Sequence, residues 1–129
     1  AGYYKYKAGD QFTEGGKPVN GKRDICDIYA IMYETSESVP TLDGTNAFTS
    51  PNLISTARIN NAKETNEWTY FKLPFITLPG KIIDKEKLMD GKYNIAIVFT
   101  SSLEGDHFNG AIGSTLLIDE AELIYHSED

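Results

Sequence analysis

Apolar and polar side chains alternate with a period of two in six stretches of this 129-residue chain, and that period builds strands rather than helices. Gly2 to Lys7 (GYYKYK) alternates aromatics with lysines, which predicts an edge or half-exposed strand whose lysines discourage aggregation. Ile25 to Tyr33 places Cys26, Ile28, Ala30 and Met32 on one face and Ile25, Asp27, Tyr29, Ile31 and Tyr33 on the other. With both faces largely apolar, it is expected to be central. Ile54 to Ile59, Trp68 to Phe75, Tyr93 to Thr100 and Thr115 to Tyr125 complete the set. Pro74 is compatible with its strand only at an edge or bulge. Asn20-Gly21, Asp43-Gly44, Asp90-Gly91 and Asn109-Gly110 supply turn chemistry between the runs. One short helical turn is expected at Asp84 to Met89, capped by Asp84.

No helical run is long enough to cover a sheet, so the strands must bury their apolar faces against a second sheet. The expectation is all-β: a single antiparallel β-sandwich domain over residues 1–129, arranged as a jelly roll. Six strands are few for a jelly roll of about eight, and the chain starts almost directly on a strand. Further amino-terminal strands are therefore expected to lie outside this sequence.

A formal charge of −7 argues against a nucleic-acid partner, because the surface repels phosphate instead of displacing its counterions. The apolar runs, such as Ile95 to Phe99, fall far short of the roughly 20 residues that span a bilayer. Cys26 is the single cysteine, so it forms no disulfide within the chain, and its apolar neighbourhood predicts a buried, unreactive thiol.

The stretches Gly2 to Gly9 (GYYKYKAG), Cys26 to Ala30 (CDIYA), Leu42 to Asn46 (LDGTN) and Ser50 to Asn52 (SPN) carry a resemblance, and the most specific is Phe108 to Tyr125 (FNGAIGSTLLIDEAELIY). Together they resemble the putative carbohydrate metabolism domain family of gut Bacteroides. The resemblance implies the jelly-roll half of secreted cell-envelope lipoproteins, galactose-binding-like and similar to carbohydrate-binding modules. It further implies an immunoglobulin-like domain ahead of it, additional strands before GYYKYK, and localisation in the periplasm or on the outer-membrane surface. No catalytic motif comes with it.

A site for sugar needs flat apolar rings bordered by polar groups. Trp68 and Tyr70 stand opposite the apolar face formed by Phe71, Leu73 and Phe75, which makes them the candidate stacking platform. Tyr29 and Tyr33, in a strand apolar on both sides, are weaker candidates. The loop Ser101 to Ser114 brings Asp106, His107, Phe108 and Asn109, with Glu104 and three glycines, and reads as either a recognition loop or a mobile one. His107 has no second His or Cys at ligand spacing. In several carbohydrate-binding jelly rolls an Asp placed like Asp119 holds a structural Ca²⁺; the alternative is a carboxylate satisfied by backbone N–H groups.

Glycoside hydrolysis is the catalytic alternative, with Asp27, Glu34 and Asp106 as candidate acids. It requires two carboxyls facing across a cleft, about 5 Å or about 6.5–9.5 Å apart. Most acidic residues here sit in turns, so the residues lean toward a non-catalytic glycan-binding module and leave enzymatic action undecided. A structural or adhesive β-domain, pairing through an exposed first strand, is the third reading.

Overall fold

The computed structural model describes residues 1–36, 42, 47–60 and 62–124, with Asp106 described by its backbone alone. The expected Asp43-Gly44 turn, residues 43–46 of the Leu42 to Asn46 stretch, and Tyr125 lie outside the described residues. Apart from one short helix and one 3-10 turn, the elements are strands, arranged in three small sheets whose register pairs are antiparallel. The chain divides into two compact units, one comprising Ala1–Asp27, Ile59–Leu73 and Phe99–Asp129, the other Ile28–Arg58 and Pro74–Val98.

The first unit holds two of the sheets. One has the order β10-β1-β6, where β1 is Gly2–Lys7, β6 is Thr65–Phe71 and β10 is Thr115–Asp119. GYYKYK is therefore the middle strand of its sheet and not an edge. Its lysines mark an outward face, which alternation reports, while the number of neighbouring strands is set by distant segments that alternation cannot report. The inward residues Tyr4, Tyr6 and Ala8 are buried, and Tyr4 meets Phe71 with ring centroids 6.1 Å apart. The Tyr6 hydroxyl donates to the Ser101 carbonyl at 2.6 Å, and burial pushes its pKa up to about 12.

The other sheet in this unit has the order β3-β2-β9, with β2 Phe12–Glu14, β3 Lys17–Val19 and β9 Gly110–Ala111. Sequence periodicity misses this hairpin because its strands are only three residues long. Its turn is local all the same: Gly15 and Gly16 adopt φ of 58° and 85°, the double positive-φ geometry of a tight hairpin. Pro18 sits on the edge strand β3, where a missing N–H is tolerated. Asn109-Gly110 is not a glycine turn as expected. Gly110 opens β9, and the left-handed residue is Phe108, with φ of 59°.

The second unit is built on a sheet ordered β7-β5-β4-β8, with β4 Asp27–Glu34, β5 Leu53–Arg58, β7 Ile76–Thr77 and β8 Tyr93–Thr100. β4 is interior, as its two apolar faces require. Its Tyr29, Ile31 and Tyr33 form a buried cluster with Leu42, Ala47 and Leu53, against which Leu78, Ala96 and Val98 pack. Tyr29 and Tyr33 are thus core residues. The strand expected to reach Phe75 ends at Phe71, ahead of Pro74, and that expected to reach Tyr125 ends at Asp119, where Glu120 takes φ of 51°. Helix α1, Lys85–Met89, is capped as expected: Asp84 Oδ1 accepts from the N–H groups of Glu86 and Lys87 at 2.9 and 3.4 Å.

Cys26 is buried in the first unit, and burial, reinforced by the charges of Asp27 and Asp24, pushes its thiol up to about 11. Thiolate is the reactive form. Iodoacetamide at pH 8 is therefore expected to label the native chain at least about tenfold more slowly than the urea-unfolded chain. Equal rates by mass spectrometry would show that Cys26 is open to solvent.

Candidate functional site

The outward face of the β10-β1-β6 sheet is the surface richest in exposed rings within regular strands of the first unit. Register brings its residues together. Tyr3 lies opposite Tyr70 on one side and Asp119 on the other, and Lys5 lies opposite Leu117. Trp68 and Tyr70 are 44% and 55% exposed, an unusual state for rings that carry so much apolar area. Each is held by a β1 neighbour. Tyr3 and Tyr70 meet with centroids 5.3 Å apart and planes tilted by 56°, and Lys5 Nζ lies 4.7 Å from the centroid of the Trp68 ring. The β6 pair was legible from alternation; the contribution of Tyr3 and Lys5 was not, because it depends on which strand lies beside β6.

The loop between β8 and β10 is anchored at its base by a buried carboxylate that sequence reasoning missed. Asp24 is 5% exposed. Its Oδ2 accepts from the Ser102 hydroxyl at 2.5 Å, the Ser114 hydroxyl at 2.6 Å and the Ala111 N–H at 3.0 Å, while Oδ1 accepts from the Ile25 N–H at 2.9 Å. The Leu103 N–H donates to the Ile25 carbonyl at 2.7 Å, and the Gly9 N–H donates to Ser114 Oγ at 3.0 Å. No periodic signal could single out Asp24, since its partners come from separate segments late in the chain.

The tip of the loop is a 3-10 turn, Gly105–His107, with His107 exposed. Phe108 follows in the left-handed region and is 81% exposed. Asn109 faces inward chemically: its Oδ1 accepts from the Gly15 N–H at 3.0 Å and its Nδ2 donates to Glu104 Oε2 at 3.2 Å. Those bonds use half of the amide's capacity and fix its direction. The side chain of Asp106 lies outside the described residues. Thr13, Ser102, Phe108, Asn109 and Ile112 border an open depression of about 210 Å³.

Two of the candidate acids, Asp27 and Glu34, stand at opposite ends of β4, roughly 23 Å apart along the strand. Asp27 is buried in the first unit, Glu34 belongs to the second unit, and its Oε1 lies 2.9 Å from Lys87 Nζ. Asp119 is exposed at the end of β10, with Oδ1 accepting from the Glu120 N–H at 2.9 Å. A calcium ion takes 6 to 8 oxygen ligands. Asp119 brings one partly engaged carboxylate, and no group of three or more His, Cys, Asp or Glu able to hold a metal occurs among the described residues. The residues present do not by themselves fit a calcium cage.

Known proteins place the chain in context. The pattern of the putative carbohydrate metabolism domain matches residues 1–124. The chain is 88% identical to part of a protein from Bacteroides thetaiotaomicron described as a putative glycoside hydrolase, with a TM-score of 0.96 over 98% of this chain. It is 47% identical to part of another protein so described, from Bacteroides vulgatus, with a TM-score of 0.88 over 95% of this chain. The matched region spans 37% and 50% of those two solved chains, so it corresponds to one part of larger proteins. No curated protein matches the chain.

Proposed function

Since the chain belongs to the putative carbohydrate metabolism domain family, we propose that it is a non-catalytic glycan-contact module of a larger carbohydrate-processing protein. The observation that carries this reading is the exposed Trp68 and Tyr70 pair, steadied by Lys5 and Tyr3 on a rigid sheet face. Aromatic faces stack on the C–H faces of pyranoses, and rings held in place lose little entropy on binding. Phe108, with His107 on the same loop tip, is a second place for contact.

The full architecture we propose is a jelly-roll sandwich, which antiparallel sheets and short connections support. We assign the larger protein to the cell envelope, with an immunoglobulin-like domain preceding this one. The description of both solved relatives as putative glycoside hydrolases favours hydrolysis as an activity of the larger protein. In this chain the separation of Asp27 and Glu34 at the two ends of β4 speaks against those two acting as a hydrolytic pair. The adhesive reading loses its particular support, because β1 is flanked on both sides by strands.

A glycan array on the intact chain tests the reading. Trp68 is the sole tryptophan, so its fluorescence follows binding at the proposed site directly. Tyr70→Ala and Trp68→Ala are each expected to weaken binding by about tenfold, since a lost aromatic contact costs on the order of 1–3 kcal/mol. Circular dichroism checks that both variants stay folded. Binding to no glycan would overturn the module assignment, and release of reducing sugar by the chain alone would overturn its non-catalytic part.

A further inference from the structure

Resting on that reading of the outward sheet face, we propose that the ligand is an anionic glycan: a pyranose stacks at Tyr3 and Tyr70, and Lys5 Nζ receives its carboxylate or sulfate. The chain carries 19 acidic against 12 basic side chains, so its overall field repels an anion and an anionic ligand has to be held by a local cation. Lys22, Arg23 and Lys87 are engaged by the carboxylates of Glu14, Glu64 and Glu34. Among the described residues Lys5 is not. Its ammonium meets the Trp68 ring instead, which attracts a cation through its quadrupole but leaves the three N–H donors without a carboxylate.

Spacing suits the assignment. Tyr3 and Lys5 are two residues apart on β1, as are Tyr70 and Trp68 on β6, a separation of roughly 6.6 Å along a strand. The acidic group of a uronic acid or a sulfated sugar lies at the rim of the ring. A ring stacked at Tyr70 therefore projects its charge along the strand toward the next outward position, where Lys5 stands. On the β10 side Asp119 lies across from Tyr3 and repels an anion there, so the charge is directed away from that strand. Lys7, the next outward cation, sits in the field of Glu64, whose carboxylate the hydrogen-bonded Arg23 holds below its ordinary value. Lys5 is thus the cation of β1 nearest to Tyr3 on the outward face.

The experiment titrates the intact chain, by Trp68 fluorescence and calorimetry, with polygalacturonate, its fully methyl-esterified form and a sulfated galactan free of uronic acid. The acidic form of a polymer is expected to bind about tenfold or more tightly than the neutral form, with an advantage that shrinks at high salt. Lys5→Gln is expected to abolish the advantage and Lys5→Arg to keep it. Preference for polygalacturonate assigns the anion to carboxylate and preference for the sulfated galactan assigns it to sulfate. Equal affinity for charged and methyl-esterified polymer, or charge selectivity that survives Lys5→Gln, overturns the inference and leaves glycan contact standing. Failure to bind these polymers or any neutral glycan overturns both.

Discussion

Asp24→Ala is expected to destabilise the chain by about 3–4 kcal/mol. The buried carboxylate accepts two hydroxyls and two backbone N–H groups. Removing it strands those donors away from water, and each unsatisfied buried donor costs on the order of 1–3 kcal/mol. The two serine hydroxyls can rotate toward other acceptors, so the total falls below the sum; the Ala111 and Ile25 N–H groups cannot. Asp24→Asn should recover only part of the loss. One amide oxygen can serve the three donors at Oδ2, but the NH₂ group then faces the Ile25 N–H, donor against donor. Urea unfolding measures both variants. Hydrogen exchange of Leu103 to Ala111 should rise in Asp24→Ala, since the loop base loses its anchor. A loss below about 1 kcal/mol with unchanged exchange would show that the carboxylate is incidental to the loop.

Gly9→Ala is expected to cost about 2–3 kcal/mol for a different reason. A Cβ at Gly9 would overlap the Ile112 carbonyl and stand 3.0 Å from the Ala111 Cβ. The obstacle is backbone, which cannot swing aside as a side-chain end can. The same glycine donates its N–H to Ser114 Oγ, so any displacement also loosens the Asp24 network. Gly105→Ala is the matched control: its added Cβ would meet only the Ser102 Cβ, at an ordinary 3.5 Å. Thermal unfolding should drop sharply for Gly9→Ala and hardly move for Gly105→Ala. Similar melting of the two variants would mean that the loop can shift away from Gly9 at little cost.

The aromatic face and the Asp24 network differ in how far the sequence foretells them. Trp68 and Tyr70 belong to one strand, and alternation alone places them opposite the buried Phe71. The Asp84 cap and the β8 bounds, Tyr93–Thr100, are similarly local, because capping and pleat act over a few residues. The family was legible too, since the stretches that carry it are contiguous and the matching region, residues 1–124, covers nearly the whole chain.

What escaped sequence reading is non-local. The outward lysines of β1 suggest an edge, yet the strand pairs with β6 and β10, the latter across more than a hundred residues. Tyr3 and Lys5 become part of a surface only through that pairing. Asp24 is one acid among many until folding brings Ser102, Ala111 and Ser114 around it from 78, 87 and 90 residues away. By itself the sequence determined the six longer strands to within a few residues, their apolar faces and the Asp84-capped turn, since these follow from steric and solvation preferences of neighbouring residues. Strand order, the anchored loop and the pairing of lysine with indole were decided by tertiary structure alone, because hydrogen-bonded neighbours are chosen by contacts between segments far apart in the chain.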